Sequence, residues 1–165
     1  MALLIPATTP FTYISGLAAL SIPTGKNVSA PAGGRRFEFD KFLWGRGTAV
    51  DTLKYWGCVG VEDRSAQMKL CGMIGKRHAE PVYAASHERA CADLFVRMVF
   101  QMDVFNFFYL GEWFPSDAAK ERVYAFLNAP GFVTKLTAAE KQKLARWKRL
   151  QSEYTKWTEL PAEGD

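Results

Sequence analysis

The chain has 165 residues, 48% of them hydrophobic and 23% charged, with a net charge of +4. That length points to one domain with a core large enough to need no disulfide or metal for stability. Three cysteines cannot all pair within one chain, and their spacing matches no secreted framework, which predicts reduced thiols and a cytoplasmic setting.

The uncharged N-terminus lacks the positive start and unbroken apolar run of a signal peptide, because Pro6 and Pro10 interrupt it. Residues 11–22, FTYISGLAALSI, are apolar and partly β-favouring and stop at Pro23. Residues 24–34 are a loop by composition. RRFEFD at 35–40 alternates polar and apolar, with Phe37 and Phe39 on one side, the period of a half-buried strand. Residues 48–56, TAVDTLKYW, predict a short helix capped by Thr48. GCVGV at 57–61 reads as a turn and a short strand, MKLCGMI at 68–74 as a further strand, and PVYAA at 81–85 as another.

The strongest element is a helix from Ser86, a good N-cap, to about Phe108. Arg89, Asp93, Arg97 and Gln101 recur every four residues as a narrow polar stripe with possible i,i+4 pairs, and most other positions are apolar. A helix apolar around most of its circumference is buried, with Phe95, Val99 and Met102 expected inside. This apolar region carries Asp93, Arg97 and Asp103, which makes it a poor membrane span. Pro115 and Ser116 open another helix, ending near Asn128. Thr137 and Glu140 form a capping box at the head of the last helix. There Leu144, Trp147, Leu150, Tyr154 and Trp157 share an arc. The tail from 158 to 165 has no periodicity and is expected to fray.

Together these elements predict an α+β fold: a small antiparallel sheet from residues 1–85 against a buried central helix and two C-terminal helices within 86–157. The single domain spans 1–165.

No strong catalytic or cofactor motif is present. His87 and Cys91, four apart on a helix, point the same way and can in principle share an ion with Cys58, Cys71 or His78. The intervals are irregular, without CxxC or HxxxH, so they read as core and helix-start residues, with no metal and no cofactor expected. GKRHAE at 75–80 combines phosphate-binding groups, Lys76 and Arg77, with a titrating one, His78. With His87 or Glu80 as a second group, that loop is the ribonuclease candidate. GRGTAVD at 45–51 precedes a helix but lacks the Walker ending and the dinucleotide spacing. Arg35 and Arg36 read as surface charge.

Charge is unevenly spread. Residues 81–134 carry four basic and six acidic groups, whereas 135–157 carry seven basic groups against Glu140 and Glu153. Lys141, Lys148, Arg149 and Lys156 fall roughly opposite the apolar arc and form the expected binding face, for an acidic partner protein or nucleic acid. The aromatic surplus of twelve Phe, six Tyr and five Trp mildly favours a binding protein. PVYAASHERACADL and LAALSIPTG are loosely similar to stretches of short bacterial proteins, some associated with toxin–antitoxin or phage-defence loci. The resemblance implies a bacterial regulatory role and assigns no residue a task. The leading expectation is a non-enzymatic intracellular partner-binding or regulatory module, antitoxin-like or associated with phage defence. The alternatives are a nucleic-acid-binding protein or ribonuclease, and a phage structural or accessory protein. An oligomer is compatible with all three.

Overall fold

The computed structural model describes residues 5–24, 38–106, 109–114 and 116–153. The chain forms two compact units, divided between Leu94 and Phe95. The architecture is α+β, with a four-stranded sheet and helices packed on it.

In the first unit the sheet order is β2-β1-β4-β3. β1 spans Thr12–Ile14, β2 Leu43–Gly45, β3 Val61–Asp63 and β4 Tyr83–Ala85. The outer pairs are antiparallel, but β1 and β4 run parallel, with Ile14 opposite Ala84. The sheet is therefore mixed where an antiparallel one was expected. β1 pairs with the next strand in the chain, β2, which lies beyond the expected 35–40 strand, whereas β1 and β4 are joined by a long connection that permits a parallel neighbour. Gly45 ends β2 at φ 108°, and a Cβ there would lie 2.2 Å from the Phe11 carbonyl oxygen. Only glycine allows that approach.

Several elements differ from expectation for local reasons. FTYISGLAALSI splits into β1 and helix α1, Gly16–Leu20. Within the RRFEFD stretch, residues 35–37 lie outside the described residues, Phe39 begins a 3-10 turn, Phe39–Phe42, and the strand follows it. Helix α2 is only Leu53–Trp56. Thr48 does not cap it; the Asp51 carboxylate accepts from the Leu53 amide at 3.0 Å, and the Thr48 hydroxyl closes the preceding turn on Gly45 and Val50. MKLCGMI is not a strand. Its first three residues end helix α3, Ser65–Leu70, and the chain then turns left-handed at Gly72, φ 76°. Asp63 starts that helix by accepting from the Ser65 amide and hydroxyl at 3.0 and 2.7 Å. The core beneath the sheet contains Ile14, Ala18, Ile22, Phe39, Met68, Ile74 and Val82.

The central helix starts as expected, with Ser86 Oγ accepting from the Arg89 amide at 3.1 Å. It runs as α4, His87–Phe95, and widens into a π-helix, Val96–Gln101. The wider turn ends the 3.6-residue phase on which the burial of Met102 depended. Phe95 and Val99 are fully buried, but Met102 is 51% exposed. Asp103 then turns left-handed at φ 52°.

The second unit adds α5 (Leu110–Trp113), α6 (Asp117–Leu127), α7 (Pro130–Val133) and α8 (Ala138–Glu153). Ser116 caps α6 by accepting from the Ala119 amide at 3.2 Å. The Thr137–Glu140 capping box forms reciprocally at 3.0 and 3.2 Å. The core is aromatic: Phe95 meets Trp147 at 5.2 Å and Phe100 at 5.0 Å, and Phe100 stacks on Phe132 at 6.0 Å. Tyr154, Trp157 and the tail lie outside the described residues. Replacing Phe95 by Ala should cost about 3–5 kcal/mol. Chemical denaturation of the variant checks this, and a loss under about 1 kcal/mol would contradict the packing.

Candidate functional site

The first unit buries a cluster of charged and hydroxyl groups. Arg89 and Asp93 lie one turn apart on α4, both fully buried, with Nε and Oδ1 at 3.1 Å. Tyr13 and Ser15 reach them from β1 and its end, and Thr52 from the head of α2. Asp93 Oδ1 accepts from the Thr52 hydroxyl at 2.5 Å and from Arg89. Its Oδ2 accepts from the Ser15 hydroxyl at 2.7 Å and the Tyr13 hydroxyl at 3.0 Å. Arg89 Nη1 donates to the Gly57 and Val59 carbonyls at 2.9 and 2.7 Å. Its Nη2 donates to the Tyr13 and Thr52 oxygens at 2.9 and 3.2 Å.

All five guanidinium N–H groups are thus used, and the carboxylate accepts four bonds. Tyr13 and Thr52 each give their one proton to Asp93, so their own 3.2 Å contact has no proton left to share. Burial, then the Asp93 charge, pushes the Tyr13 phenol well above its ordinary range. The Arg89 guanidinium also lies over the Trp56 ring, 5.2 Å from its centre. A saturated, buried cluster has no group left for a substrate, so its work is structural.

The positions singled out in the sequence lie elsewhere. Lys76 and Arg77 are exposed on a turn closed by the His78 amide on the Gly75 carbonyl. His78 is half-buried there. His87 is also half-buried, and its Nε2 bonds to the Ile22 carbonyl at 2.6 Å. No hydrogen bond joins the two histidines among the described residues. In the GRGTAVD stretch the Gly45, Arg46 and Thr48 amides donate to Val50, Phe11 and Gly45 carbonyls, which leaves none of those three for a phosphate. Among the described residues, no three His, Cys, Asp or Glu side chains converge as a metal site. Cys91 is buried, and burial pushes its thiol well above the usual range, while Cys58 and Cys71 are half-buried.

Along α8, Lys141 and Arg149 are exposed as expected. Lys148 is only partly so, because its ammonium bonds to the Asn128 side chain at the end of α6. That placement lowers its pKa through burial. Lys156 lies outside the described residues, as do Arg35 and Arg36. Arg146 is exposed and covers the buried Phe105 ring at 4.2 Å, and Lys143 pairs with Asp103 at 2.5 Å. Gln151 accepts from the Leu110 amide at 2.8 Å. Lys143, Arg146 and Gln151 therefore hold the segment that follows the π-helix, leaving Lys141 and Arg149 as the cations with no such duty.

The hydroxyl partners of Asp93 were not anticipated. Their separations of 41 to 80 residues leave no periodic mark. The Arg89–Asp93 spacing was the one legible signal. No helix among the described residues is long and apolar enough to cross a membrane. Comparison with protein families, curated proteins and solved structures gives no match to this chain.

Replacing Asp93 by Ala strands the buried Arg89 and three donors, and should cost about 3–5 kcal/mol, measurable by urea unfolding. Replacing Arg89 by Lys frees the Gly57 and Val59 carbonyls; amide exchange should then rise at 57–61. A thiol reagent should label Cys58 and Cys71 in the native protein and Cys91 only on unfolding, as mass spectrometry of timed samples would reveal.

Proposed function

We propose that the protein is a non-enzymatic partner-binding module that engages an acidic protein through the exposed basic face of α8. The observation that carries this is the pair Lys141 and Arg149, two turns apart and exposed, with no ion-pair partner among the described residues. Arg146 extends the face. Because the aromatic side of α8 is turned into the core through Trp147, and Phe105 is buried beneath Arg146, this face offers no ring for stacking on bases among the described residues. That favours a protein partner over single-stranded nucleic acid. A bacterial regulatory setting, antitoxin-like or linked to phage defence, rests on the two short resembling stretches alone.

The test compares the wild type with a Lys141→Glu/Arg149→Glu variant. Arg146 and Lys148 stay intact, since one covers Phe105 and the other ties α8 to Asn128. Exposed charges contribute about 0–1 kcal/mol each, so the melting temperature should barely move. Crosslinking in the source cell should join the wild type to an acidic protein, and the variant should lose it. The wild-type complex should weaken as salt shortens the Debye length from about 10 Å at 0.1 M to about 3 Å at 1 M. A labelled RNA or DNA bound by the wild type and lost in the variant would replace the protein partner with nucleic acid. Unchanged partner binding by the variant would overturn the assignment of this face.

A further inference from the structure

Arg64 and His87 meet at one main-chain oxygen. Arg64 stands at the head of α3 and is 4% exposed, yet no carboxylate lies within ion-pair distance among the described residues. Its Nη1 donates to the Ala85 carbonyl at 3.0 Å, and its Nη2 lies 3.4 and 3.5 Å from the Ile22 and Pro23 carbonyls. His87, in the first turn of α4, reaches the same Ile22 oxygen at 2.6 Å. A carbonyl can only accept, so Nε2 carries the proton, and one proton on the ring is enough. Ile22 and Pro23 form the exit from α1, and the Ile22 amide is itself bonded to Ala19 at 3.1 Å. Two side chains from different elements thus fasten the end of α1 to the sheet end at Ala85.

We propose that Arg64 and His87 form an acid-sensitive latch on the exit of α1. Above the histidine's ordinary range, a neutral ring shares the Ile22 carbonyl with the permanent Arg64 charge. Adding a proton places a second cation at the same oxygen, in a half-buried site that already holds the Arg64 charge. The ring then leaves for solvent, and the Ile22–Pro23 corner is held by Arg64 alone. Among the described residues, the charged and titratable groups around the pair are few. Glu88 on α4 faces His87, while Glu62 on β3, Glu88 and the Cys71 thiol after α3 face Arg64. Helix α1 carries no titratable side chain. Burial lowers the His87 pKa below its ordinary 6.5 and the Arg64 charge adds to this, against the Ile22 bond and Glu88. A depressed folded-state pKa means that the latch is complete above 6.5 and weakens as pH falls below it, because the released ring takes up a proton first.

The test follows the Ser21 and Ile22 amides by hydrogen exchange from about pH 7.5 to about pH 5, as protection factors corrected for intrinsic chemistry. Wild-type protection should fall by about tenfold or more, while a His87→Gln variant, whose amide can donate without titrating, should hold its protection. Constant wild-type protection would overturn the latch, as would an equal fall in the variant. Should that variant fail to fold, the wild type decides by NMR. The Ile22 amide and the His87 ring must change together below pH 6.5, from an Nε2–H tautomer. Titration of the ring above that value, or an Nδ1–H tautomer, would overturn the proposal.

Discussion

The Arg89–Asp93 ion pair is the interaction on which the first unit depends. Two charges removed from water are costly to hold, and their mutual attraction offsets that only when every remaining hydrogen-bonding position is filled. Here the filling comes from four separate places in the chain: β1, the head of α2, the loop at 57–59 and α4 itself. Satisfying the pair therefore fixes the positions of those elements at once. Thr52 illustrates the trade. It stands where an N-cap would, but its hydroxyl goes to Asp93, and Asp51 serves the helix start instead. A polar cluster of this kind selects one arrangement of short elements that have little intrinsic stability of their own, since each strand here is three residues long.

The second unit uses a different means. Its interior is built from edge-to-face and stacked rings, and the rim of α8 does the polar work. Three of that helix's side chains are committed inward or sideways: Lys143 to Asp103, Arg146 to Phe105 and Gln151 to Leu110. A cation count over 135–157 thus overstates how much charge is free to meet a partner. What remains for recognition is narrower, and it is defined as much by what Lys148 does with Asn128 as by the outward direction of Lys141 and Arg149.

How far the sequence carried is best judged element by element. The fold class, the start of the central helix at Ser86 and the N-caps of α6 and α8 were legible, because each cap rests on local chemistry within a few residues. The basic face was legible in outline, since helical periodicity places Lys141 and Arg149 correctly. Met102 was misplaced because a π-helix changes the period without any glycine or proline to announce it. MKLCGMI was misread because alternation over seven residues fits a buried helix end as well as a strand, and Asp63 was not recognised as its starting acceptor. Neither the parallel pairing nor the hydroxyl shell around Asp93 left a trace, since both depend on residues far apart in the chain.

The parallel neighbours β1 and β4 bear on how the protein is made. Ile14 sits beside Ala84, so the middle of the sheet joins positions separated by about seventy residues. Loops of that size close slowly compared with hairpins and helical turns. On a ribosome, β1 emerges early and can pair with β2, but its other edge stays open until β4 has been synthesised. The hydroxyls of Tyr13 and Ser15, destined for Asp93, wait longer still. For that interval the nascent chain displays an apolar strand with one unsatisfied edge, the kind of segment that chaperones hold and that misassociates when they do not. The same pairing that gives the finished unit its centre makes its N-terminal tenth the most vulnerable part of the chain during synthesis.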